Sequence, residues 1–193
     1  MNHSFFAMIS RMRYINRWGL MRSTVSENIQ EHSHMVAVLA HALAVIRNEK
    51  FGGHADPGKC AVYALYHDAP EILTGDLPTP VKYYNPEIKD AYKAVEAFSA
   101  EKLTTLLPEE LQKIYEPLLK EEADSETHEL VKAADKLSAY IKCVEELSAG
   151  NEEYRQAEKQ IRATLEASST PEVAYFMEQF MPAFGLTLDD LQR

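Results

Sequence analysis

Between residues 31 and 50, Met35, Val38, Leu39, Ala42, Leu43 and Ile46 recur at steps of three and four residues. That spacing follows the turn of an α-helix and predicts one buried face along it. The same rhythm runs through most of the chain. Asp56 and Pro57 offer an N-cap and a first-turn proline for a second helix reaching Tyr66. Further helices are expected over 86–107, 108–120, 126–148, 151–167 and 171–181, with Gly150-Asn151 and Ser168-Ser169-Thr170 as short turns between them. Seven glycines and nine prolines in 193 residues are too few for the turns of an all-β fold. No repeat or Ser/Gly linker divides the chain, so the expectation is a single all-α domain over 1–193.

Charge narrows the partners. A formal net charge of −10 argues against a basic nucleic-acid coat and against a polybasic membrane surface. With 46% hydrophobic and 26% charged residues the composition is that of a globular protein. Cys60 and Cys143 form no Cys-x-x-Cys and no disulfide framework. The longest apolar stretch, 35–46, is interrupted by His41 and is too short to span a bilayer. A cytoplasmic protein is expected, with neither a membrane nor a nucleic-acid polymer as partner. An anionic substrate would need a local cation to offset the overall field.

One stretch breaks the helical rhythm. Residues 73–80 hold Gly75, Pro78 and Pro80, and read as a rigid loop. Just before it stands Tyr66-His67-Asp68-Ala69-Pro70-Glu71. A lone His-Asp pair is more often a surface pair or a core histidine than a metal site. Two other residues sharpen the reading: His32, at the start of the 31–50 helix, and Asp135, inside the 126–148 helix. Val131 and Ala139 lie one turn to either side of Asp135, where a bare carboxylate is costly; an exposed acid beside Lys132 is the equal alternative. With all four placed on helices, His32, His67, Asp68 and Asp135 make a two-imidazole, two-carboxylate set suited to a transition metal such as Mn, Fe, Co or Zn. Calcium would want oxygens throughout.

The order His … His-Asp … Asp resembles the HD-domain metal-dependent phosphohydrolases. Arg17-Trp18, residues 27–33, His67-Asp68-Ala69-Pro70-Glu71 and residues 74–82 are similar, more narrowly, to the bacterial HD-domain 5′-deoxynucleotidases of the YfbR type. The resemblance runs from about residue 5 to residue 190. It implies an HD-domain helical bundle with its metal site between helices, and hydrolysis of 2′-deoxyribonucleoside 5′-monophosphates to deoxynucleoside and phosphate. It further implies one divalent ion (Co2+, Mn2+ or similar) on His32, His67, Asp68 and Asp135, and a homodimer. Glu71, Asp76 and Arg17 are the implied catalytic groups. Arg17, Trp18, His32, Asp68, Asp76, Leu77, Pro78, Thr79 and Asp135 are the implied substrate contacts.

Each residue also has a plainer reading. Asp76 could cap its own turn, Arg17 could be a surface cation, and Trp18 could be core. As a phosphate clamp, Arg17 has the planar fork that lysine lacks. Glu71 lies three residues after Asp68, but Pro70 lacks an N–H and should kink or restart the helix there, so Glu71's role rests on the resemblance. There it acts on the proton of the attacking water. His34, two residues beyond His32, would point to another helix face and is set aside as a ligand; His41 is expected to be a hydrogen-bonded histidine of the same helix. Phe176, Met177, Phe180 and Phe184 suggest core or a subunit contact. Two rivals remain: an HD enzyme for cyclic dinucleotides or guanosine tetraphosphate, and a vestigial nucleotide-binding scaffold. Cyclic-dinucleotide enzymes usually carry Gly-Lys soon after His-Asp, where this chain has Pro70-Glu71.

Overall fold

The computed structural model describes residues 3–82 and 84–192, except the side chain of Thr79. In chain order the helices are α1 (Phe5–Ile9), α2 (Ile29–Phe51), α3 (Pro57–Tyr66), α4 (Glu71–Thr74), α5 (Thr79–Lys82) and α6 (Pro86–Thr104). They continue with α7 (Glu109–Leu119), α8 (Ser125–Ser148), α9 (Arg155–Glu166), α10 (Pro171–Gln179) and α11 (Leu188–Leu191). Single 3₁₀ turns follow α1, precede α9 and follow α10. Among the described residues the only β pairing is one bridge, Asn16 to Asn28. The all-α expectation holds.

Short polar side chains set the helix starts. Asp56 accepts from the Lys59 N–H ahead of Pro57, as the sequence suggests. Helix α2 begins at Ile29, earlier than expected, because the Asn28 side chain accepts from the N–H groups of Gln30 and Glu31 at 3.0 Å each. Asp124 caps α8 in the same manner.

Helices α2 and α8 form the centre, with α3 packed on both, α9 along α8 and α10 against α2. One cluster of buried residues joins them through Val36, Leu43, Ala64, Leu130, Leu137 and Val173. The buried face of α2 is rotated from the expected stripe: Val36 and Ala40 are inside, whereas Val38 is 51% exposed. The α2 surface is contested by α3, α8 and α10, so spacing alone misplaced its centre. A second cluster gathers Phe5, Met12, Leu103, Leu107 and Leu119 with Ile29 and Ala69.

The two clusters meet along two short stretches. On α2, Ile29 belongs to the second cluster and Val36 to the first, with His32 between them. After α3, Ala64 belongs to the first and Ala69 to the second, with His67 between them. The polar site therefore lies at a seam between two apolar cores. Residues 17–28 are latched over it by Glu146, whose carboxylate accepts from Thr24 N–H at 2.7 Å, Val25 N–H at 3.2 Å and Asn151 Nδ2 at 2.8 Å, and pairs with Lys142.

Candidate active site

Asn28 starts α2, and His32 follows one turn later with its ring wholly buried. Its Nδ1 lies 3.2 Å from Ser138 Oγ, and its Nε2 stands 3.0 Å from Asp135 Oδ1 and 3.5 Å from Asp68 Oδ2. Asp135 and Ser138 are neighbours on α8, so α8 presents both partners of one imidazole.

His67 and Asp68 do not sit on a helix. Helix α3 ends at Tyr66, and the chain turns through 67–70 before α4 restarts at Glu71, the restart expected from Pro70. The turn aims the His67 ring inward. His67 Nδ1 donates to the Ala64 carbonyl at 2.7 Å. A carbonyl only accepts, so Nδ1 carries a proton, and in the neutral ring the Nε2 lone pair faces the cluster. That Nε2 is buried and has no hydrogen-bond partner. Asp68 Oδ2 approaches it to 3.3 Å and Asp135 Oδ1 to 4.0 Å, without hydrogen-bond direction. A lone pair buried beside two carboxylate oxygens is costly unless an electrophile shares them.

His32, His67 and Asp135 offer ligand atoms that all lie within 4.8 Å of one another. Their donor set, with Asp68 adjacent, is chemically right for a divalent transition metal. Asp135 resolves in favour of the paired acid: it is half-buried, and although burial alone would raise its carboxyl, the His32 hydrogen bond and the Arg17 charge hold it well below the carboxylate range. His34 and His41 are exposed.

The N-terminal segment closes the other side. Arg17 N–H donates to the Glu27 carbonyl at 2.9 Å beside the Asn16–Asn28 bridge. Its guanidinium donates through Nε to Glu27 Oε2 at 3.2 Å and through Nη1 to Asp68 Oδ2 at 3.3 Å. Burial opposes the Arg17 charge, but Asp68, Asp135, Glu27 and Asp76 outweigh it and raise its pKa. Trp18 is half-buried, with φ of 59°, a left-handed conformation rare for a bulky residue. Its Nε1 donates to Glu27 Oε2 at 2.9 Å, and its ring packs on Tyr154 at 5.2 Å between centroids. Neither the surface cation nor the simple core tryptophan describes this pair.

Glu71 is buried and its Oε2 has no hydrogen-bond partner. Burial, with Asp68 and Asp76 nearby, pushes its carboxyl up to about 9, against the pull of Arg17 and Lys82. Asp76 is raised by burial and Asp68, while Arg17 and a hydrogen bond from the Trp18 backbone N–H pull the other way. The segment expected as loop is partly helical: only 75–78 is open coil between α4 and α5. Tyr92 Oη donates to the Gly75 carbonyl at 3.2 Å and fastens that coil to α6.

Two cavities meet here. One, of about 650 Å³, is lined by His67, Asp68, Glu71 and Leu77 and carries Lys82 and Lys132 on its wall. The other, of about 730 Å³, is more apolar, with Trp18, Leu20, Met21, Pro78 and Ile161. Arg17, Asp76 and Asp135 line both. Thr79's side chain lies outside the described residues. Sequence reasoning gave no role to Glu27 or Lys82, though both stood inside quoted motifs, and took Lys132 only as a neighbour of Asp135.

A family model described as 5′-deoxynucleotidase YfbR-like matches residues 4–184. The chain belongs to that family. It is 54% identical over 190 residues to the 5′-deoxynucleotidase YfbR of Escherichia coli O1:K1, covering 98% of this chain and 96% of that one. Against a 5′-deoxynucleotidase of Vibrio vulnificus the identity is 53% over 188 residues, 97% of each chain. In fold, the YfbR-like chain matches an HD-domain phosphohydrolase from Listeria innocua with a TM-score of 0.82 at 24% identity, over 94% of this chain and 88% of that one. A cyanophage S-2L HD phosphohydrolase bound to dA and one catalytic Zn2+ ion aligns with a TM-score of 0.61 at 23% identity, over 91% and 95%. The HD-domain fold follows.

Proposed function

We propose that this chain is a metal-dependent 5′-deoxynucleotidase, removing phosphate from 2′-deoxyribonucleoside 5′-monophosphates. The observation that carries the reading is the partnerless, buried His67 Nε2, set among His32, Asp68 and Asp135 where the Arg17 and Trp18 cavities meet. The near full-length likeness to enzymes named for this activity supports it.

His32 Nε2, His67 Nε2, Asp68 and Asp135 would hold one divalent ion, Co2+ or Mn2+ among the candidates for such a donor set. When bound, such an ion supplies Lewis acidity toward a phosphoryl oxygen and acidifies water. The chain's own groups do the rest. Arg17 binds the phosphate with the part of its fork not turned to Glu27 and Asp68. Glu71 takes the proton of the attacking water; its carboxyl ionises more readily once positive charge offsets Asp68. Asp76, whose carboxyl burial raises, gives a proton to the leaving 5′-oxygen. Trp18 presents an apolar wall to C2′, and Leu77, Pro78 and Thr79 complete the nucleoside side.

As partners we propose the nucleotide and a second copy of the chain, acting in the cytoplasm, with residues 1–193 as one domain. Among the described residues no helix is long and apolar enough to cross a membrane. The test is metal analysis of protein purified without chelator, followed by phosphate release from a panel of deoxy- and ribonucleotides. Phosphate from deoxynucleoside monophosphates, abolished by chelation and restored by a divalent ion, is expected. No phosphate release with any ion would favour the vestigial scaffold.

A further inference from the structure

Glu27 belongs neither to the proposed ligand set nor to the proposed substrate contacts, yet one of its oxygens organises both residues of the N-terminal clamp. Glu27 Oε2 accepts from Arg17 Nε at 3.2 Å and from Trp18 Nε1 at 2.9 Å. The Glu27 side chain is 16% exposed. Its backbone is fixed as well, since its carbonyl accepts from Arg17 N–H at 2.9 Å and Asn28 pairs with Asn16. Arg17 and Trp18 are consecutive, and on an ordinary extended backbone consecutive side chains point to opposite faces. Here the left-handed turn at Trp18 (φ 59°) brings both donors to one acceptor. A bulky residue keeps such a backbone only where its surroundings impose it, and such outliers cluster at functional sites.

We infer that Glu27 is a positioning residue that locks the Trp18 indole and the Arg17 guanidinium onto one carboxylate, so that sugar selection and phosphate binding both depend on it. The inference rests on the nucleotidase reading for what the pair selects, but not for the lock itself. Glu27 touches neither reacting atoms nor the proposed ion. It acts through its two donors: Trp18 reaches the apolar cavity wall, while Arg17 passes the constraint on to Asp68 at 3.3 Å. Tyr154 packs on the indole, so without Glu27 the ring keeps its packing partner but loses its polar tether. A carboxylate serves better than a neutral acceptor because one of the two donors is a cation.

The chain has a single tryptophan, so fluorescence excited at the red edge, beyond tyrosine absorption, reports on Trp18 alone. The experiment compares wild type, Glu27→Ala and Glu27→Gln for emission, acrylamide quenching, thermal melting, and kcat and KM on matched deoxy and ribo monophosphates. Glu27→Ala should shift the emission and raise the quenching constant about twofold or more, and should shrink the deoxy-over-ribo ratio about tenfold. Glu27→Gln keeps an oxygen acceptor without the charge. It should restore most of the fluorescence signature and the ratio while KM for both sugars stays several-fold high, because Arg17 has lost its counter-charge. Wild-type emission and quenching in a folded Glu27→Ala protein would overturn the lock. An altered indole with an unaltered sugar ratio would overturn the coupling to selection. Should wild type itself treat the two sugars alike, the deoxynucleotidase reading fails, and the fluorescence arm still decides whether Glu27 holds Trp18.

Discussion

Arg17 Nη1 stands 3.3 Å from Asp68 Oδ2, joining the proposed phosphate clamp to the proposed ligand set across 51 residues of sequence. Its Nε is committed at the same time to Glu27. The guanidinium therefore enters the site already oriented by two carboxylates. A phosphate that binds it shares a preset fork and need not order a free side chain, and this preorganisation is what makes arginine the suitable cation here.

Asp135 is the sharpest probe of the ligand set. It contacts His32 at 3.0 Å and comes within 4.0 Å of His67. Asp135→Ala should lower metal affinity more than about 100-fold, since even outer-shell partners of metal ligands are worth 10–100-fold. Activity should fall with it. Plasma metal analysis after dialysis checks this; stoichiometric metal at wild-type affinity removes Asp135 from the set.

Glu71 should behave differently. Its proposed part is to move a proton and not to hold the ion, so Glu71→Gln should keep its metal and bind nucleotide while kcat drops by about 10²–10⁴. Equilibrium nucleotide binding measured beside turnover separates the two effects. Metal loss in step with activity would make Glu71 a ligand.

Trp18→Ala should admit ribonucleotides. An unpaired 2′-hydroxyl pressed against an apolar wall costs roughly 1–3 kcal/mol, and removal of the wall returns most of that. The deoxy-over-ribo ratio of kcat/KM should narrow chiefly through a gain on ribonucleotides. An unchanged ratio ends the part assigned to Trp18.

Glu146 links acid stability to the latch over the site. Burial would raise its carboxyl, but hydrogen bonds from Lys142, Thr24 and Asn151 hold it well below its ordinary 4.5. A depressed folded-state pKa contributes stability that is present above the unfolded value and lost as pH falls below it. Wild type should therefore lose Tm steeply from about pH 4.5 downward, while Glu146→Gln, less stable at pH 7, should show a flatter slope. Parallel slopes in melts from pH 7 to pH 3 would contradict the latch.

The fold was largely legible because helix periodicity, Asp56-Pro57 and the scarcity of glycine and proline all agree. What escaped the sequence is tertiary. Val38 fits the α2 stripe yet is exposed, since three helices compete for that surface. His67 and Asp68 read as helical until Pro70 is given its full effect, which is to end α3 at Tyr66. Asp135 could be resolved only by its contact with a histidine 103 positions away. Glu27 had no distinguishing feature of its own; its importance lies in two donors brought together by an unusual φ at Trp18, which no spacing rule predicts.

The central claim is tested most directly by kcat/KM for dAMP and AMP on the metal-loaded protein, repeated after chelation. The account predicts a deoxy preference of about 10- to 100-fold, from the roughly 1–3 kcal/mol of an unpaired buried hydroxyl. It also predicts loss of both activities on chelation and their return with a divalent ion. Equal rates on the two sugars, or hydrolysis that survives complete removal of the metal, would contradict it.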